Sequence, residues 1–176
     1  MARKSPTIDD LAKAASVVNA RSSKRVFVVH GHDNATKESV ARFLTQLKLE
    51  PIILHEQASG GKTIIEKFET HANVSFAVVL LTPDDLGASA TKPENKLPRA
   101  RQNVVFELGF FVGRLGRSNV CALHKGNVEI PSDYQGVIYI PLDENGGWRL
   151  MLASPTLPPW RRESPFESVL ARRGAI

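Results

Sequence analysis

The sequence predicts an α/β domain in which helices cover both faces of a doubly wound, five-stranded parallel sheet, and three observations lead there. The run Arg25-Val-Phe-Val-Val-His-Gly31 is nearly continuous, apolar and valine-rich, the pattern of a central parallel strand buried on both faces. Strand-patterned and helix-patterned segments then alternate along the chain. Most joints between them are short. Such alternation builds right-handed crossovers onto one sheet, most simply in the flavodoxin-like order 2-1-3-4-5.

Each element has its own reason. Residues 5–20 begin at a capping Thr7, followed by Asp9 and Asp10 and then Leu11, Ala14, Val17 and Val18 at helical spacing. Residues 21–24 read as a linker into the first strand. Residues 35–47 place Val40, Phe43, Leu44 and Leu47 on one stripe, with Lys37, Glu38 and Arg42 elsewhere, so they form a helix. Residues 51–55 are the second strand, 57–61 a flexible loop, and 63–71 a helix turning Ile64, Ile65 and Phe68 inward. Residues 75–81 form the third strand, and a polar loop over 82–98 leads to an apolar helix holding Glu107. Residues 119–124 and 137–142 supply strands four and five. A last helix begins near Leu150 and cannot continue through the proline-rich stretch 154–159. No internal repeat is present. The chain thus divides into a basic, partly helical extension (1–24), the α/β domain (25–153) and a basic, proline-rich tail (154–176).

Composition removes several function classes. At 176 residues, with 42% hydrophobic and 23% charged residues, the chain has one domain's worth of core. One cysteine, Cys121, excludes an intramolecular disulfide framework, no Cys/His cluster has zinc-finger spacing, and a reducing cytoplasm is the natural compartment. The longest apolar run, residues 76–81, falls far short of the ~20 residues a membrane span needs, and no signal peptide is visible. The net charge of +5 sits in the flanks: residues 25–152 hold 14 basic and 14 acidic residues. A nucleic-acid groove on the core is therefore unsupported, and the basic ends read as solvated tails.

Ligands of an open parallel sheet gather at the carboxyl ends of its strands, where strand order reverses. Those ends are His30-Gly-His-Asp33, His55-Glu-Gln57, Thr82-Pro-Asp-Asp85 and His124-Lys125. With strands one and three adjacent, Gly31, His32, Thr82 and Asp84 border one crevice. Gly31 permits close backbone approach, and the start of the following helix offers N–H groups to a phosphate. Arg99 and Arg101 either hold a pyrophosphate there or stand in a solvated loop. Gly31, His32, Asp33, Thr82, Asp84, Arg99 and Arg101 are thus the candidate substrate-binding residues.

Weaker patterns are set aside. His30 and His32 lack a third metal ligand, so hydrogen-bonding histidines are the simpler reading, with no metal. The 59–63 stretch has Glu56 where a phosphate-binding P-loop needs its first glycine. Cys121, inside a strand, reads as a buried small hydrophobe. Asp84 and Asp85 stand at the wrong strand for a phosphoacceptor pocket. Gly109 and Gly113 have a spacing that would let their helix pack closely on the sheet.

Glu107 stands apart. Val104, Val105, Phe106, Leu108, Phe110, Phe111, Val112 and Leu115 cover nearly every face of its helix, so its carboxylate must be paired, protonated or lining a cavity. Arg114 is one candidate partner. The other reading turns Glu107 to the crevice, where a carboxylate binds sugar hydroxyls or stabilises an oxocarbenium-like transition state.

The chain also resembles the bacterial TIR-like nucleotide-binding family, whose members are effectors in anti-phage systems of the CBASS and Pycsar types. Six ordered blocks carry the resemblance: Arg25-Val-Phe-Val-Val-His-Gly-His-Asp33, Leu54-His-Glu-Gln57, Gly61-Lys-Thr-Ile-Ile-Glu-Lys-Phe68, Phe76-Ala-Val-Val-Leu-Leu-Thr-Pro-Asp-Asp85, Arg99-Ala-Arg-Gln-Asn-Val-Val-Phe-Glu-Leu-Gly109 and Pro131-Ser-Asp-Tyr-Gln-Gly136. The resemblance implies a TIR fold and cleavage of NAD+, a substrate and not a cofactor, at the nicotinamide–ribose bond with Glu107 as catalytic residue. It further implies that residues 56–62 are the BB loop, with Gln57, Ser59, Gly60 and Gly61 at contacts between stacked TIR domains. The effector would deplete NAD+ after such assembly. Two departures stand out: the proline-rich sequence after Gly147-Trp148, where the family continues a helix, and flanks of 24 residues, too short for a sensor domain. Activation is then expected from another chain, a sensor or a cyclic-nucleotide-responsive partner, or from a longer protein of which this is a fragment. Two other functions stay open: a TIR-like nucleotide-binding scaffold without turnover, and a nucleoside glycosyl-transferring enzyme with a glutamate nucleophile.

Overall fold

In a computed structural model, which describes residues 24–53, 66, 74, 76–132, 134 and 136–154, five parallel strands form one sheet. They are β1 (Arg25–Val29), β2 (Glu50–Ile53), β3 (Phe76–Leu81), β6 (Val120–His124) and β7 (Ile138–Pro141), in the order β2-β1-β3-β6-β7. This is the 2-1-3-4-5 arrangement read from the sequence, with two short strands inserted, β4 (Asp85–Gly87) and β5 (Leu97–Arg99). The expected N-terminal helix, the second strand's end at His55, the loop 57–61, the helix 63–71 and the tail beyond Ser154 lie outside the described residues.

The period-2 alternation of the strands sorts the core onto two faces. Phe27, Val29, Ala77, Val79, Leu81, Val120 and Ala122 face helix α2 (Gln102–Leu115). Val26, Val28, Phe76, Val78, Leu80, Cys121 and Leu123 face α1 (Asn34–Gln46) and α3 (Gly147–Leu152). All six residues of β3 are buried, as its central place demands. Burial raises the Cys121 thiol to about 12, the chemistry of an inert core residue.

Three sequence readings need correction. The loop 82–98 contains the antiparallel pair β4 and β5, too short for periodicity to register and carrying Pro98 within it. The last helix starts at Gly147 and not near Leu150. Both carboxylate oxygens of Asp143 accept first-turn N–H groups, from Gly147 and Trp148 at 2.9 Å each, and these bonds hold the Asp143 carboxyl below the usual carboxylate range. Trp148 then packs edge-on to Phe43, with ring centroids 5.3 Å apart. Nor is α2 apolar all round against the core. Its buried stripe is Val104, Glu107, Leu108 and Phe111, the i, i+3, i+4, i+7 pattern, and Phe106 is 56% exposed.

Candidate active site

The expected crevice group Gly31, Thr82 and Asp84 comes together at the carboxyl ends of β1 and β3. The Thr82 hydroxyl donates to Asp84 Oδ2 at 2.7 Å, and Thr82 is itself buried. A β-carbon on Gly31 would overlap that same oxygen and lie 2.9 Å from Asp84 Cγ. Only glycine lets the chain leave β1 so close to a carboxylate. His30 turns its Nδ1–H to the Gly31 carbonyl at 2.7 Å.

His32 and Asp33 mark opposite sides of the loop after β1. The guanidinium of Arg101, the residue just before α2, donates to the His32 ring. Asp33 caps α1: the Thr36 N–H donates to Oδ1 at 2.9 Å and the Thr36 hydroxyl to Oδ2 at 2.8 Å. Lys125, one residue past β6, adds a bond to Oδ2 at 2.6 Å. Burial raises the Asp33 pKa, but the Lys125 and Thr36 hydrogen bonds and the Lys125 charge outweigh it and hold the carboxyl below its ordinary value. The helix start is therefore less open to a phosphate than the sequence suggests. Asn34 gives its N–H to the His32 carbonyl, Thr36 gives its own to Asp33, and the capping group is negative.

Arg99 does not join the group. Its Nε donates to Glu129 Oε2 at 2.5 Å, and its chain lies across Gly87 within the β4–β5 pair. Gly109 is also placed differently from the reading of its spacing. It is about 200° around α2 from Glu107, off the sheet-facing stripe, and a β-carbon there would lie 2.7 Å from the Tyr134 hydroxyl; one on Gly113 would meet nothing within 4 Å. Gln57, Ser59, Gly60 and Gly61 lie outside the described residues.

Glu107 is 3% exposed and faces the sheet. Its depth follows from geometry. Phe111 packs on Phe27 with ring centroids 4.8 Å apart, and α2 runs antiparallel to β1, its Arg101 end at His32. One turn back from Phe111, about 5.4 Å, matches about two residues of strand, which brings Glu107 to the level of Val29, just beneath the Gly31 rim. Arg114 is exposed, and among the described residues Glu107 forms no ion pair or hydrogen bond, with Arg114 or any other. Burial alone raises its pKa from 4.5 to about 7. A carboxyl that is buried and, among the described residues, unpaired, close to the carboxyl ends of β1 and β3, is a candidate functional group. No group of three or more metal-ligating side chains occurs among the described residues.

Comparison with known proteins decides the family. A sequence model described as CAP12/Pycsar effector protein, TIR domain, matches residues 25–144. The chain belongs to this TIR-domain family. It is 55% identical over 133 residues to a protein of Escherichia coli (strain K12) named uncharacterized protein YuaY, covering 75% of this chain and 44% of that one. It is 39% identical over 142 residues to protein tirC of Dictyostelium discoideum, covering 74% of this chain and 70% of that one. With the Pycsar effector protein PaPycTIR of Pseudomonas aeruginosa it shares 41% identity over 85 residues, 47% of this chain and 25% of the effector. The chain thus spans less than half of YuaY and a quarter of PaPycTIR. No helix among the described residues is long and apolar enough to cross a membrane.

Sequence reasoning placed Lys125 at a ligand-bearing strand end without a partner and gave no role to Glu129, Tyr134 or Asp143; these four act on Asp33, Arg99, Gly109 and α3. Only Asp143 had a local signal, a carboxylate four residues before a helix start.

Proposed function

We propose that this TIR domain cleaves the nicotinamide–ribose bond of NAD+, with Glu107 as the catalytic carboxylate. The observation that carries the reading is the burial of Glu107, which has no ion-pair or hydrogen-bond partner among the described residues, on the sheet-facing stripe of α2 one turn before the Phe111 that packs on β1. The C1′–N1 bond breaks with its electron pair going to the pyridinium nitrogen, so nicotinamide leaves neutral and positive charge develops on the ribose. Ionised Glu107 stabilises that charge, in a site where low dielectric strengthens the interaction. Water then adds to C1′ and gives up a proton, leaving ADP-ribose; attack by an adenine nitrogen would give a cyclised product instead. Gly31 lets the substrate approach β1, and Thr82 fixes Asp84 at the rim.

The family relationship supports a defence effector that depletes NAD+ once TIR domains assemble through the segment around Gln57, Ser59, Gly60 and Gly61. One relative of the family is named CD-NTase-associated protein 12, and a separate nucleotide-making partner is the corresponding proposal for activation here. The test is to incubate concentrated protein with NAD+ and follow nicotinamide. Release supports the reading. Binding of NAD+ without release would select a scaffold, and transfer of base between deoxynucleosides with NAD+ intact a glycosyl-transferring enzyme.

A further inference from the structure

Lys125 projects from the carboxyl end of β6, where its backbone N–H bonds the Leu81 carbonyl at the end of β3. Its ammonium reaches Asp33, in the loop after β1, at 2.6 Å, and lies 3.5 Å from the Thr36 hydroxyl. Because β3 lies between β1 and β6 in the sheet, this side chain crosses the end of β3, over the mouth of the β1/β3 crevice. It is 49% exposed, whereas Asp33 is 19% exposed. An exposed ion pair of this kind contributes no more than about 1 kcal/mol to stability, so little is lost when it exchanges partners.

Among the described residues, the crevice has few other donors for an anion. The start of α1 is occupied by its own carboxylate, Asp33. Arg99 is engaged by Glu129, and Arg101 by His32 on the other side of the loop. An ammonium carries three N–H groups, two of them used by Asp33 and Thr36, and it can swing between neighbouring acceptors.

Resting on the reading of NAD+ as substrate, we infer that Lys125 binds the pyrophosphate of the dinucleotide, with Asp33 as the resident anion it releases when substrate arrives. Two substitutions then act in opposite directions. Lys125→Ala removes the phosphate donor. Asp33→Asn keeps a capping side chain for α1 but takes away the competing charge.

The test uses the full chain carrying Glu107→Gln, so that binding is measured without turnover, with NAD+ and the phosphate-free nicotinamide riboside as probes. Lys125→Ala is expected to weaken NAD+ about tenfold and the riboside less than about twofold, and Asp33→Asn to tighten NAD+ about threefold. Equal losses for both probes in Lys125→Ala, or weaker NAD+ binding in Asp33→Asn, would overturn the assignment. Binding of NAD+ by Glu107→Gln while the native chain releases no nicotinamide would sink the catalytic reading alone, leaving Lys125 to be judged by its variants. No NAD+ binding at all would overturn both.

Discussion

The carboxylate of Asp84 occupies the space that a β-carbon on Gly31 would take. The first and third strands are thereby locked in one relation at the crevice, because Asp84 is fixed in turn by the buried hydroxyl of Thr82 at 2.7 Å. Gly31→Ala must displace Asp84 and break that bond, at a cost of about 1–3 kcal/mol. Thermal unfolding is expected to show this loss, and Asp84→Ala in the same chain to restore most of it. Additive losses in the double variant would show that the two residues do not compete for space.

Gly109 makes a parallel case on the other flank of α2. A β-carbon there would lie 2.7 Å from the Tyr134 hydroxyl, so Gly109→Ala pushes the tyrosine away from the helix and costs about 1–2 kcal/mol. In a Tyr134→Phe background the same substitution should cost less than half as much, because the oxygen is gone. Denaturant titration of the four proteins gives the coupling directly.

Burial of Glu107 makes stability depend on pH with a definite sign. Its pKa is about 7 in the folded chain against an ordinary 4.5, so between these values the folded state binds more protons than the unfolded one, and stability falls as pH rises. The stabilisation is fully present below 4.5 and lost by the time pH passes about 7. At 1.36 kcal/mol per pKa unit the loss is about 3 kcal/mol. Glu107→Gln cannot ionise, so its stability relative to the native chain should climb by that order from pH 4.5 to 8. A constant difference across the range would mean that Glu107 titrates normally.

How far the sequence discloses this molecule depends on the range of the interactions involved. The sheet order was legible because β1 and β3 are buried on both faces and so are nearly pure runs of apolar residues. The group Gly31, Thr82 and Asp84 followed once the order was known, since topology alone makes those strand ends neighbours. The direction of Glu107 was not legible: with apolar residues on every side, only the packing of Phe111 on Phe27 reveals which stripe meets the sheet. The pairing of Lys125 with Asp33 joins residues 92 apart and has no local signature. The same holds for Arg99 with Glu129, and so Arg99 read as a free cation. The β4–β5 pair escaped because three-residue strands carry too few positions to show a period.

The central claim is that Glu107 ionises inside the crevice to cleave NAD+. The most direct measurement is nicotinamide release by the native chain and by Glu107→Gln, side by side at the same high protein concentration, from pH 5 to 9. The account predicts that kcat/KM of the native chain rises with pH and levels off above about 7, as the carboxyl ionises, and that Glu107→Gln, correctly folded, releases nicotinamide at least about a thousandfold more slowly. Release by Glu107→Gln at the native rate would contradict it.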